Sequence, residues 1–230
     1  MKDDVQGDLF SGLMNDSQSS ELRNEIKIKV QPLEKELNLI RDRGLRDFVS
    51  LMLVNAEYIW TSPSTNVEDL YPPDEYLPGG LIKHIQRTVR AAFVLATAYP
   101  LSDEEIQILL AASILHVATL PLLPNDEDDS PIPDLYNDYY MISFDSFIND
   151  ALEAELLSSR ISKSALELDQ ETISRIVRLV HCCEGTFSPI EEIIPQDPLE
   201  ILMASANIVA KSIHLIVDGS DVCGARWEIE

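Results

Sequence analysis

The chain has 230 residues, with 17 Lys+Arg against 40 Asp+Glu, a formal net charge of -23 and 45% hydrophobic residues. That length and apolar content can bury a sizeable core, while the charge excludes a chain drawn as a whole toward phosphate backbones or anionic lipid, so direct binding of nucleic acid is not expected. The absence of an uninterrupted apolar run of about 18 residues excludes a helical membrane span, and the acidic start MKDDVQGDLF together with three cysteines, Cys182, Cys183 and Cys223, lacking any CxxC pair, predicts a cytoplasmic protein.

Residues 1–17 read as a flexible acidic tail around the small apolar island Leu9-Phe10. Residues 18–60 read as N-terminal helices. Ile26, Val30, Leu33, Leu37 and Ile40 recur at steps of three or four and predict one helix over residues 19–46, and the apolar stretch 48–60 predicts another. Residues 61–80 contain four prolines and two glycines, so no regular element is expected there. After Gly79-Gly80, a helix is predicted over residues 81–98, stopping before Pro100. Ser102 with Glu105 three residues on makes a capping box that opens the next helix, to about residue 117. Ile173, Ile176, Val177 and Val180 mark a helix over residues 170–183. Asp197-Pro198-Leu199-Glu200, a capping acid followed by Pro in the first turn, opens a last one to about residue 217. No stretch alternates with a two-residue period, so the fold class is all-α, with residues 61–217 as the main helical domain and residues 218–230 as a C-terminal tail.

Charge is segregated along the chain. Residues 91–159 contain no Lys or Arg and thirteen acids, several of them (Asp126, Glu127, Asp128, Asp129) in the connection over residues 121–138. Such a run reads as a solvated face or loop, or as a surface that mimics nucleic acid before a basic partner.

Candidate chemistry centres on histidine. Of His84, His116, His181 and His214, the first sits one turn inside the helix after Gly79-Gly80, the second near the end of the following helix and the third at the close of another. Two histidines on adjacent helices of a bundle can share a metal ion, and ordinary buried helix histidines give the same spacing. Lys83, Arg87 and Arg90 follow at steps of four and three and share a helix face. They would either meet a phosphate or pair with neighbouring acids.

The stretch LPGGLIKHIQRTVRAAFVLATAYPLSDEEIQILLAASILHVA, with IVRLVHCCEG and PQDPLEILMASANIVAKSI downstream, resembles the HD superfamily of metal-dependent phosphohydrolases over residues 60–213. The resemblance implies an HD-domain-like helical bundle, with His84, His116 and, less directly, His181 in metal-binding positions. It also exposes departures. The doublet that names the family reads His116-Val117 here, the late Ala-Asp pair reads Ala206-Asn207, and the segment before the glycines, Leu70-Tyr71-Pro72-Pro73, carries no histidine. Hard divalent cations need oxygen ligands and compensating charge, which valine lacks and asparagine offers only as a neutral carbonyl. Two histidines could still hold one Zn, Mn, Ni or Mg ion weakly if His181, Cys182 or Glu184 joined them. The expectation is therefore a phosphohydrolase-like protein with a degraded metal centre, bearing either no cofactor or one weakly held divalent metal. It would act as a binding or regulatory module for a small phosphate-containing ligand contacted by Lys83, Arg87, Arg90 and Asn207. The alternative is an active phosphohydrolase of a nucleotide or other phosphate ester with a relocated ligand set.

A second motif lies in the tail. Gln6, Asp8, Leu9 and Phe10, in Gln6-Gly7-Asp8-Leu9-Phe10, resemble the short peptide that docks bacterial sliding clamps, with Leu and Phe entering an apolar pocket and Gln bonding to backbone. This makes an interaction protein of the clamp-binding or nucleic-acid-mimicking kind a further alternative.

Overall fold

In the computed structural model of the chain, residues 26–64, 71–118, 148, 168–183, 185 and 194–212 are described. The two tails, with the motif residues Gln6 to Phe10, lie outside them, as do Glu184, His214 and the acids of residues 121–138. Every regular element among the described residues is helical. Residues 26–30 are helical and run into a 3-10 turn, Gln31–Leu33, and a single helical turn, Glu34–Leu37. The longer helices are α1 (Arg43–Asn55), α2 (Gly80–Thr97), α3 (Asp103–Leu115), α4 (Gln170–His181) and α5 (Pro198–Lys211).

The one helix expected over residues 19–46 is broken, and the break has two local causes. Pro32 lacks an N–H and sits in the first turn of the 3-10 segment, where that loss is tolerated. Asp42 is extended and its carboxylate accepts from the Leu45 N–H at 2.7 Å, capping a new helix at Arg43. The apolar period survived the break because both pieces face one core, Leu33, Leu37 and Ile40 from the first and Leu45, Phe48 and Val49 from the second. The helix expected over 48–60 ends at Asn55, and Glu57–Trp60 tightens to 3-10.

The later starts follow their caps. Ser102 accepts from the Glu105 N–H at 3.2 Å while the Glu105 carboxylate accepts from the Ser102 N–H at 2.7 Å, closing the capping box. Asp197 caps α5 by accepting from the Glu200 N–H at 3.0 Å, and α5 is described as far as Lys211. α3 is the centre of the bundle. Its residues from Gln107 to Leu115 are all buried, and α1, α2, α4 and α5 pack around it. A helix apolar on every side belongs in that position. α2 in turn packs along α5.

The α4–α5 contact is fixed by charge. Glu200, buried on α5, accepts from Arg175 Nη1 at 3.0 Å and Arg178 Nε at 3.0 Å, and from the Gln196 N–H at 2.7 Å. Burial alone would raise the Glu200 carboxyl, but the Arg178 and backbone hydrogen bonds outweigh it and hold the group below its usual range.

Candidate functional site

The loop into α2 positions the first part of the site. Gly79 has φ 81°, a left-handed conformation that glycine adopts without strain, and it turns the chain into the helix. Gly80 then passes so close to the preceding turn that a Cβ there would lie 2.0 Å from the Glu75 carbonyl oxygen. This contact presses the short Pro73–Glu75 turn against the start of α2. Glu75, with 0% of its surface exposed, thereby points into the bundle. Its Oε1 accepts from Arg87 Nη1 at 2.6 Å and its Oε2 from Ser64 Oγ at 2.6 Å. Arg87 also spans both oxygens of Asp74 at 2.6 and 2.7 Å.

His84, on α2, is 2% exposed and sits between two elements. Its Nε2 donates to Asn207 Oδ1 on α5 at 3.1 Å. Asn207 is oriented by its own amide, since Nδ2 donates to the Cys183 carbonyl at 3.0 Å, which leaves Oδ1 to accept from histidine. His84 Nδ1 lies 3.2 Å from Glu75 Oε2, within ion-pair distance but off the line of a hydrogen bond. Both nitrogens therefore face acceptor oxygens.

His116 caps the C-terminal end of α3, with its ring centroid 5.1 Å from that of His84. Nδ1 donates to the Ser113 carbonyl at 2.8 Å. Burial pushes the His116 imidazolium well below the ordinary histidine range, with the positive fields of His84 and Lys211 adding to it; the contacts with Ser113 and Asn207 pull only partly the other way. The ring is neutral near pH 7, with its proton on Nδ1 and its lone pair on Nε2. Val117, the residue that follows, is buried in the apolar core.

The expected residues thus divide. His84, His116 and Asn207 meet. His181 closes α4 and is buried, two residues before the Cys183 carbonyl that holds Asn207. Burial pushes the Cys182 thiol up to about 12, so it stays protonated and donates weakly to the Leu179 carbonyl at 3.4 Å. Of the basic face, Arg87 lies on Asp74 and Glu75, while Lys83 and Arg90 are exposed. Their charge acts on buried Glu36, whose carboxyl is raised by desolvation and partly restored by Arg90, Lys35 and Lys83. Asp103, at the start of α3, pairs with Arg41.

Three contributors escaped the sequence reading: Glu75, Tyr71 and Lys211. Tyr71 packs edge-on to His84 with centroids 6.1 Å apart, and Lys211 Nζ lies 6.0 Å from the Tyr71 ring centre. The one signal for Glu75 was an acid in a proline-fixed loop just before two glycines.

No family model, curated protein or solved structure matches the chain. The likeness to the HD superfamily therefore stands on the motifs themselves. Among the described residues no group of three or more His, Cys, Asp and Glu could hold a metal ion, and the donors that do meet suit a hard cation poorly. His84 Nε2 carries a hydrogen toward Asn207, the Cys182 thiol is protonated and Val117 has no donor.

Proposed function

We propose that the chain is a binding or regulatory module on an HD-like helical bundle with a degraded metal centre, taking a small phosphate-containing ligand in nucleotide or nucleic-acid metabolism. The supporting observation is Asn207. Where the family resemblance calls for an aspartate, its amide nitrogen is bonded to the Cys183 carbonyl and its oxygen to His84 Nε2. A side chain in that state closes the site with neutral hydrogen bonds and supplies no negative charge to a cation. Metal analysis of the purified protein, with a hydrolysis assay on nucleoside monophosphates in added Mn, Co and Mg, tests the reading. Substoichiometric metal and no turnover are expected; a stoichiometric divalent metal with turnover overturns it.

One observation favours the enzyme reading as a second possibility. A neutral His116 donating Nδ1–H to a carbonyl, beside a His84 whose Nδ1 faces a buried carboxylate, resembles the way outer groups orient metal-ligating histidines. In that case Glu75 would position His84, and His84→Ala and His116→Ala would each abolish metal binding. Wild-type metal content in both variants refutes it.

A further inference from the structure

Lys211 follows Asn207 by four residues, one turn along the same face of α5. Its ammonium lies 6.0 Å from the centre of the Tyr71 ring, and that ring lies edge-on to His84. Tyr71 is itself steadied, its carbonyl accepting from the Tyr76 hydroxyl at 2.7 Å. His84, His116 and Asn207 are buried, whereas Tyr71 and Lys211 are half-buried. The cluster thus meets solvent at an aromatic ring with a cation above it.

We propose that Lys211 and Tyr71 form the anion-recognition end of this cluster and hold a phosphate group there without a metal ion. The inference rests on the phosphate-ligand reading above and gives it a residue and a charge. Lys211 is a cation on α5 one turn beyond Asn207, and its field reaches His116. Valine and asparagine in place of two acidic ligands remove the negative charge that would repel an anion in the absence of a metal. Glu75, the buried carboxylate nearby, is offset by Arg87. Lysine suits the task as a compact charge with three donors, and the face of the Tyr71 ring lies toward that charge.

The test is calorimetric titration of the full chain with inorganic phosphate and with phenyl phosphate, in EDTA. Binding by the wild type and a loss of about tenfold or more in Lys211→Met are expected, as for removal of one charge-assisted contact. Lys211→Arg should retain most of the affinity. Lys211→Met removes the charge from a side chain of similar reach, and Tyr71→Leu, which removes the ring beside that charge, should weaken binding in the same direction if the first variant folds poorly. Equal affinity of wild type and Lys211→Met overturns the role of Lys211 while leaving the ligand reading intact. Binding that requires added Mn overturns the metal-free site and supports the enzyme reading. Wild-type protein that binds neither probe with or without metal refutes both the inference and the reading beneath it.

Discussion

Asn207→Asp restores the residue that the family resemblance calls for, and the structure makes the result calculable. In the wild type, Nδ2 donates to the Cys183 carbonyl at 3.0 Å and Oδ1 accepts from His84 at 3.1 Å, in a fully buried position. Replacing the amide by a carboxylate keeps the second contact and sets an oxygen against the carbonyl in the first. The lost bond and the unsatisfied carbonyl cost about 1–3 kcal/mol, and an incompletely compensated buried charge brings the total to about 3–5 kcal/mol. That is a large fraction of the roughly 5–15 kcal/mol by which a domain is stable. A protonated carboxyl could still donate to Cys183, so the introduced acid is pushed up in the folded state. The unfolded chain then releases its proton first, and the deficit against wild type grows as pH rises above about 4, by at most about 1.4 kcal/mol per unit. Urea denaturation in EDTA at pH 5 and pH 8 measures both values. Zn at about 100 times its dissociation constant would return about 2.7 kcal/mol to the variant, with a smaller gain for wild type. A variant as stable as wild type in EDTA at pH 8 would refute the reasoning, because it would mean that the Asn207 amide does not hold the site closed.

Gly80→Ala should destabilise by about 3 kcal/mol or more, since its Cβ would meet the Glu75 carbonyl at 2.0 Å; thermal unfolding checks it, and a change below 0.5 kcal/mol would contradict the packing. His116 is depressed by burial, so its contribution to stability is present above pH about 6.5 and falls as pH drops below that, where the unfolded ring binds a proton that the folded ring does not; His116→Gln should flatten this limb of the stability–pH curve. Arg87→Ala should cost about 3–5 kcal/mol, because it strands the buried Glu75 carboxylate, while Glu75→Gln should cost less, since Arg87 keeps Asp74; in the double variant the losses should be well below additive by urea denaturation. Leu9→Ala with Phe10→Ala should abolish capture of a bacterial sliding clamp by the full chain; retained capture rules out the tail motif.

What the sequence disclosed followed the range of its signals. Helix starts set by one side chain and the next turn, at Ser102 and Asp197, appeared where their caps put them. The meeting of His84 and His116 was legible because each sits at a fixed place within a strongly patterned helix. The break between Leu37 and Arg43 was hidden because apolar residues on both sides point to one core and the period runs through it. Glu75 was hidden for a different reason. It lies in a loop with no period, and its role depends on a backbone approach at Gly80 and a guanidinium one helix face away. Lys211 lay inside the last expected helix without a signal of its own, because its place beside Tyr71 depends on how α5 packs along α2.

The Arg175–Arg178–Glu200 clamp also has a mechanical consequence. Glu200 lies seven residues, about 10 Å of helix, before Asn207, so the clamp and the amide are two fixed points on one rod, one at its start and one near its end. The Cys183 carbonyl belongs to the chain that leaves α4, the same helix that carries both arginines. Any change that lets α5 slide past α4 by a single residue, about 1.5 Å, would stretch the amide–carbonyl bond beyond use. The ion pairs at one end thus act as the gauge that sets the hydrogen-bond length at the other, and a solvent or partner that loosens the arginines would be felt at His84 without touching it.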